Sequence, residues 1–386
     1  MDELTDTVRI LAVNAGSSSL KLRVLDSEDR VSVAIDLPLA QGSIDTAALA
    51  DALGSIGTVG AVGHRIVHGG TQFTGPVLID DDVVAALRSL CDLAPLHQPM
   101  SLAALDATRD ALPGTVEVAC FDTAFHASMP PAAATYPLPQ QWRQRFGLRR
   151  FGFHGLSHAY ASRRVAELLR RHVEELRIVT CHLGAGASLA AVSAGRSVDT
   201  TMGFTPLDGL MMATRAGSLD PGLVLWLEEH IGTPPAELAA TLEHRSGLLG
   251  LAGTADMRIA LAQARAGRPE AQLALDVYGH RLRGGIATMV ASMGGLDALV
   301  FTGGIGENSP EVRELALHDL GFLGLNLDHD ANYEGAGDRA IGARDAPVAA
   351  FVVAAREDLE IVAETREVIT SHPDGTASSR LQPTTN

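Results

Sequence analysis

Two stretches of the chain share one pattern: an apolar strand, a glycine turn of small residues and a second strand. They are RILAVNAGSSSLKLRVLD (9–26) and RIVTCHLGAGASLAAVSAG (177–195). ILAV is short and apolar, and LKLRVLD alternates apolar with polar residues, as strands do. A duplication predicts two related lobes, each opening with a β-hairpin. Backbone N–H groups exposed in two facing turns would form anion-binding concavities able to hold a phosphate chain. The alternative is that two strand–turn–strand units resemble each other by chance.

Length and charge narrow the function classes. The 386 residues argue for about two domains, or one large one. The net charge of −16 disfavours nucleic acid as a partner, because an acidic surface repels a phosphate backbone. Three scattered cysteines, no visible signal peptide and no apolar run of membrane-spanning length predict a reduced, cytoplasmic protein without a membrane segment.

A third glycine-rich segment, DALVFTGGIGENSPEVREL (297–315), predicts a buried strand, a close turn at TGGIG and then a helix. Asn308 or Ser309 would cap that helix, with Pro310 in its first turn. Strand, glycines and helix N-terminus together suit phosphate or nucleotide binding, although a plain βα turn is the simpler alternative. Further predicted elements are helices over 158–176, 268–293 and 357–369, a buried strand within 348–355, and a disordered tail over 371–386.

Polar residues recur in segments that would otherwise be plain loops. These segments are GHRIVHGG (63–70), FDTAFH (121–126), FGFHGLSH (151–158), CHLGAGAS (181–188) and MMATRAGSLDPG (211–222). Aspartates at strand ends and arginines in loops of an acidic protein suggest a metal site beside an anion clamp. Taken singly, each also fits a turn cap or a surface ion pair.

Read together, these segments resemble the acetate kinase family of acyl-phosphate-forming kinases. The resemblance runs from about residue 9 to about residue 366 and rests on a series of motifs in family order: VNAGSSSLK, GHRIVHGG, DLAPLHQP, FDTAFH, RRFGFHGLSH, HLGAGAS, SVDTTMGFTPLDGL, SGLLGLAG, DMR and FTGGIGENSP. It implies an α/β, two-lobed fold of the actin, Hsp70 and sugar-kinase superfamily (ribonuclease H-like), with duplicated domains around an interlobe cleft. The implied lobes are 1–122 with 359–370, and 123–358 as the nucleotide-binding lobe.

The resemblance also implies an activity. This is the reversible, direct in-line transfer of a phosphoryl group from ATP to acetate, which gives acetyl phosphate and ADP. The implied cofactor is Mg²⁺, with Mn²⁺ as an alternative metal, and the implied assembly is a homodimer. A carboxylate substrate is already a nucleophile, so Asp122 is interpreted as an orienting and metal-linked group rather than a base.

The family's functional residues carry over by motif. The catalytic set would be Arg65, Asp122, His154, His182 and Arg215, with Arg65 and Arg215 on the carboxylate and the transferring phosphoryl group. Asn14 and Glu357 would serve the metal, with Asp358 as a possible substitute for Glu357. Ser17 and Ser19 would line the phosphate turn. The substrate methyl would lie against Val67, Leu96, Phe153 and Pro206, beside Arg65. The nucleotide would contact Lys21, His182, Gly184, Gly186, Asp256, Met257, Arg258, Gly304, Ile305, Gly306 and Asn308.

Several departures from the family pattern bear on rate and specificity. Ala185 stands where the family has Asn in HLGNGAS, the family's GTRSGD is ATRAGS here, LHNP is LHQP, and the usual TNEE is replaced within AAREDLE. The catalytic residues survive, so we expect an active enzyme whose rate or acyl specificity differs. Two alternatives stay open: a kinase for propionate or another short acid, and a non-catalytic, actin-like nucleotide-binding protein.

Overall fold

The computed structural model describes residues 8–16, 19–39, 44–94 and 98–372. The chain divides into two compact units. The first runs to Ala127 and resumes at Arg356, and the second is Ser128–Ala355. Ser17, Leu96 and all but the first two residues of the predicted tail lie outside the described residues.

The first unit contains a six-stranded mixed sheet in the order β3-β2-β1-β4-β6-β5. Its strands are β1 (Ile10–Ala15), β2 (Ser19–Leu25), β3 (Val31–Pro38), β4 (Ala61–Ile66), β5 (Val77–Leu78) and β6 (Val116–Phe121). β1 and β2 form the predicted antiparallel hairpin, which places Lys21 opposite Asn14. β1, β4 and β6 run parallel, so their carboxyl ends meet at one edge of the sheet.

The second unit repeats this topology. Its strands are β7 (Arg177–Leu183), β8 (Ala187–Ser193), β9 (Arg196–Thr200), β10 (Ala298–Thr302), β11 (Arg339–Ala340) and β12 (Ala349–Val352). Their order, β9-β8-β7-β10-β12-β11, matches the first sheet strand for strand, including the opening antiparallel hairpin and the three parallel central strands. The similarity between 9–26 and 177–195 therefore reflects a duplicated fold, as predicted.

The helices, in chain order, are α1 (Thr46–Ser55), α2 (Asp81–Ser89), α3 (Gln98–Ala111), α4 (Pro131–Ala134), α5 (Gln140–Phe146), α6 (Gly155–Leu169), α7 (Pro221–Ile231), α8 (Pro235–His244), α9 (Gly247–Ala252), α10 (Met257–Arg265), α11 (Pro269–Met293), α12 (Gly303–Asn308), α13 (Pro310–Leu317), α14 (His329–Tyr333) and α15 (Glu357–Ser371). None of them is both long enough and apolar enough to cross a membrane, among the residues described.

Two predictions of secondary structure were wrong, one for the bounds of a helix and one for a turn. The helix expected over 158–176 starts earlier and ends at Leu169, because Arg170 adopts a left-handed conformation (φ 54°) that terminates it. TGGIG was expected to be a turn, but from Gly303 the chain forms the short helix α12. Gly303 makes this entry possible with φ at 77°, where a Cβ would lie 2.8 Å from the Leu183 carbonyl oxygen. Pro310 occupies the first turn of α13, as predicted.

A close helix–strand contact positions one end of α15. This helix packs on β1, β4 and β6. At Gly63 of β4 a Cβ would lie only 2.3 Å from the Thr365 hydroxyl, so only glycine permits the approach. On the opposite face of the strands, α1 and α3 contribute Leu49, Leu53 and Ala104 to an apolar core. The packing holds Glu357, the first residue of α15, beside the carboxyl end of β1, where it accepts a hydrogen bond from Asn14.

Candidate active site

Three predicted residues of the first unit meet where its parallel strands end. Asn14 lies near the end of β1, Arg65 near the end of β4, and Asp122 directly after β6. Arg65 donates from Nε to Asp122 Oδ1 (3.1 Å) and from Nη2 to Asp122 Oδ2 (2.6 Å). The Asp122 side chain is 1% exposed and that of Arg65 11%, so this bidentate pair is largely withdrawn from solvent.

The remaining donors of Arg65 are also mostly used. Nη1 donates to Asn14 Oδ1 (3.2 Å) and to the carbonyl oxygen of Ala15 (3.1 Å). A guanidinium has five N–H groups, so among the described residues one N–H on Nη2 is left for a ligand. Burial disfavours the charge, but the Asp122 and Glu357 carboxylates outweigh it, and the pKa of Arg65 lies above its ordinary value.

The structure distinguishes the two acidic candidates at the start of α15. Glu357 Oε2 accepts a hydrogen bond from Asn14 Nδ2 at 2.6 Å and so joins the cluster. Asp358 is instead held by Arg356, whose Nε and Nη2 lie 2.9 Å from its carboxylate oxygens. Of the two carboxylates, Glu357 is therefore the one that joins the cluster around Arg65.

The second unit gathers a different set of predicted residues near its own hairpin turn. His154 immediately precedes α6, and His182 lies on β7. Their rings stack with centroids 4.3 Å apart. A Cβ on Gly186 would lie 3.4 Å from both His154 Nε2 and Arg215 Nη1, and a Cβ on Gly184 would lie 3.9 Å from His182 Nε2. The three side chains therefore surround the glycine turn. Cationic and imidazole groups around an open backbone turn are suited to phosphate oxygens.

Arg215 and His154 carry signs of a functional position. Arg215 donates to the Pro206 carbonyl oxygen at 3.3 Å, and burial lowers its pKa although Glu243 opposes that effect. His154 adopts a left-handed backbone conformation (φ 57°), which a non-glycine residue adopts at a cost of about 1–3 kcal/mol. Such strain is typical of sites where a side chain must point in one direction.

The predicted nucleotide residues lie on two elements of the second unit. Asp256 caps α10, and the Arg258 side chain, which pairs with it, holds its pKa at about 2. Gly304, Ile305, Gly306 and Asn308 belong to α12. An ion pair between Arg265 and Glu311 links α10 to α13, which follows α12 directly.

The residues predicted to contact the substrate methyl group come from both units. Val67 belongs to the first unit, and Phe153 and Pro206 belong to the second. All three side chains are buried. Ser19 begins β2, and Lys21 is exposed on the same strand.

The sequence indicated no role for several buried groups behind these residues. Thr180, Ser188, His158 and Ser157 form hydrogen bonds that end on His154 and His182. Arg313 is fully buried and donates to the carbonyl oxygens of Gly306 and Glu307 (2.8 and 2.9 Å), which fixes the end of α12. For the first group, the alternation of polar residues along β7 and the His–x–x–x–His spacing at the start of α6 were the available signal.

A duplicated unit built on three parallel strands and an antiparallel hairpin defines the actin and sugar-kinase fold. Two solved structures with similar folds and sequences narrow this class. An acetate kinase from Porphyromonas gingivalis superposes with a TM-score of 0.85 at 34% identity, covering 94% of this chain and all of that one. A propionate kinase from Francisella tularensis superposes with a TM-score of 0.86, also at 34% identity and with the same coverage.

Sequence comparison agrees. An acetate kinase from Thermoanaerobacter pseudethanolicus is 40% identical over 94% of this chain and 99% of its own length. One from a Synechococcus strain is 50% identical over 78% of this chain and 75% of its own. The profile of the acetokinase family matches residues 44–363. The chain belongs to the acetokinase family, whose members use ATP as co-substrate.

Proposed function

We propose that the protein is an acetate kinase that transfers the γ-phosphoryl group of ATP to acetate, reversibly and in line. Family membership supports the reaction class. The observation that carries the proposal is the buried Arg65–Asp122 pair, with Asn14 and Glu357 beside it, at the carboxyl ends of three parallel strands.

The bonds that form and break in this transfer determine what the side chains must do. A carboxylate oxygen of acetate forms a bond to the γ-phosphorus, and the bond from that phosphorus to ADP breaks, with ADP keeping the electron pair. No general base is required, so catalysis consists of positioning and charge stabilisation. Asp122 orients Arg65, whose remaining N–H and positive charge would hold acetate.

In the second unit, Arg215, His154 and His182 would bind oxygens of the transferring phosphoryl group. Donors fixed in advance stabilise the charge that develops in the transition state, and the loss of one such donor typically costs about 100-fold or more in rate. The turn at Gly184 and Gly186 would let phosphate approach the backbone, while α10 and α12 would hold the adenosine.

The residues also fit Mg²⁺. Among the described side chains, no group of three or more His, Cys, Asp or Glu is arranged as a metal-binding set. Mg²⁺ does not need one, because it takes one or two carboxylates and completes its shell with water and substrate phosphates. Glu357, with Asn14 and Asp122 beside it, would hold the ion, which supplies charge neutralisation to the phosphates when bound.

Two short acids are candidates for the substrate, and they differ only in chain length. The Francisella tularensis relative is a propionate kinase, so a longer acid is a second candidate. One methylene changes binding in an apolar pocket by only about 1–3 kcal/mol. We retain acetate because the relatives at 40% and 50% sequence identity are acetate kinases.

We further propose that the protein is a cytoplasmic homodimer. Its three cysteines form no disulfide in the structure, which fits a reducing compartment. Helix α7 buries no residue and exposes Leu225, Trp226 and Ile231, a surface that a second copy would cover. Light scattering of the wild type and of Trp226→Glu tests this: a dimer and a weakened dimer are expected, and a monomeric wild type would contradict it.

The kinase activity is tested by a hydroxylamine trap. Purified protein is incubated with ATP, Mg²⁺, hydroxylamine and acetate, propionate or butyrate in turn. Acetyl hydroxamate should form with the highest kcat/KM for acetate. A higher value for propionate would assign the second candidate, and no hydroxamate from any acid would reject the function.

A further inference from the structure

A chain of hydrogen bonds runs from the core of the second unit to His154. Thr180 Oγ1 lies 2.7 Å from His158 Nδ1, and His158 Nε2 lies 2.7 Å from Ser188 Oγ. Ser188 Oγ in turn lies 2.9 Å from His154 Nδ1. Thr180, His158 and Ser188 are at most 1% exposed, so bulk water does not compete for these bonds.

The hydroxyl at the inner end sets the direction of the chain. His158 Nδ1 is the only partner that the described residues offer to the Thr180 hydroxyl. If His158 donated there, the hydroxyl proton would be buried without an acceptor, which is unfavourable. Thr180 therefore donates to His158, which must carry its proton on Nε2 and donate to Ser188. Ser188 then donates to His154 Nδ1.

The same reasoning applies to the neighbouring ring. Ser157 Oγ lies 2.7 Å from His182 Nδ1. Among the described residues, this is the only side-chain hydrogen bond that Ser157 makes. Ser157 is 1% exposed, so its hydroxyl must donate to His182. The proton of His182 is then on Nε2, the atom that lies 3.9 Å from where a Cβ of Gly184 would stand.

We propose that Thr180, His158, Ser188 and Ser157 are positioning residues that hold His154 and His182 as neutral imidazoles, each with its proton on Nε2. Resting on the proposed function, this makes both rings hydrogen-bond donors toward the glycine turn. Neutral rings also explain how two imidazoles stack at 4.3 Å beside Arg215 without like-charge repulsion.

Side-chain tautomers can be measured directly in the unmodified protein. Nitrogen-15 histidine labelling with long-range proton–nitrogen NMR separates the two neutral tautomers and the cation. The signals of the two rings are assigned from His154→Asn and His182→Asn. Both rings should be neutral with the proton on Nε2. A proton on Nδ1, or a cation, at either ring near neutral pH would overturn the proposal. This readout needs no substrate, so its outcome is separate from that of the kinase assay.

A pair of variants tests the link to catalysis. Thr180→Val keeps the shape and removes the hydroxyl, whereas Thr180→Ser keeps the hydroxyl and removes a methyl group. We expect Thr180→Val to lose about tenfold or more in kcat with little change in the KM for ATP, and to alter the His154 signal. Thr180→Ser should keep both kcat and the His154 NMR signal close to those of the wild type.

A purely structural role predicts the opposite ranking, because the lost methyl group of Thr180→Ser would leave a cavity. Equal losses in both variants, or wild-type kcat and tautomers in Thr180→Val, would contradict the proposal. If thermal unfolding shows that Thr180→Val does not fold, the NMR measurement of the tautomers in the wild-type protein tests the proposal by itself.

Discussion

Replacing Asp122 by Asn tests the cluster at the strand ends most sharply. The amide keeps the shape of the carboxylate but removes its charge and turns one oxygen into a donor. One of the contacts at 3.1 and 2.6 Å to Arg65 is then lost, and a guanidinium that is 11% exposed loses its nearest counter-charge. Breaking a buried pair on one side costs about 3–5 kcal/mol, so we expect a loss of about 3 kcal/mol in unfolding free energy.

The same substitution should lower kcat/KM for acetate by about 100-fold or more, because Arg65 is no longer held in one orientation. Urea unfolding measures the loss in unfolding free energy, and the hydroxamate assay measures the loss in kcat/KM for acetate. The control is a double-mutant cycle with Arg65→Met. Because each single variant removes the charge that faces the other side chain, the double variant should cost about 1–3 kcal/mol less than the sum of the two. Additive losses would show that Arg65 and Asp122 do not stabilise each other.

Three further predictions follow from other parts of the molecule. Ala185→Asn restores a polar side chain to the exposed turn and should raise kcat/KM for ATP by up to about tenfold, measured at saturating acetate. Burial lowers the pKa of His68 to about 4, against about 6.5 when unfolded, so the unfolded chain binds more protons and stability falls as the pH drops through that window. Urea unfolding should show about 2 kcal/mol of this loss between about pH 7 and pH 5, and His68→Asn, whose Oδ1 can still accept from the Gly70 N–H, should reduce the slope. Arg313→Met should raise the KM for ATP more than that for acetate, because the carbonyls at the end of α12 lose their donors; equal effects on both substrates would contradict this.

The duplicated fold could be predicted because its signal is local. Strand alternation, small residues in the hairpin turn and the position of Pro310 depend on near neighbours in sequence. The prediction for TGGIG was wrong because its conformation depends on a contact that is distant in sequence. Its glycines indicated a turn, and only the approach of Gly303 to the Leu183 carbonyl on β7 shows how one glycine starts a helix.

The site could be predicted as a set of residues but not as a set of contacts. Arg65 and Asp122 are 57 positions apart, and their pairing depends on β4 and β6 being neighbours in the sheet. The sequence therefore predicted a substrate-binding arginine without indicating that the Asp122 carboxylate, the Asn14 amide and the Ala15 carbonyl together occupy four of its five N–H groups. Thr180 and Ser188 went unnoticed because their role depends on the packing of α6 against β7.

In the proposed reaction a carboxylate oxygen attacks the γ-phosphorus directly, and the side chains position and stabilise the reacting groups without forming a covalent intermediate. The most direct test uses ATP made chiral at the γ-phosphorus with oxygen isotopes and analyses the configuration of the acetyl phosphate formed. A single in-line transfer predicts inversion. Retention would require two successive transfers through a phosphorylated side chain and would contradict the account.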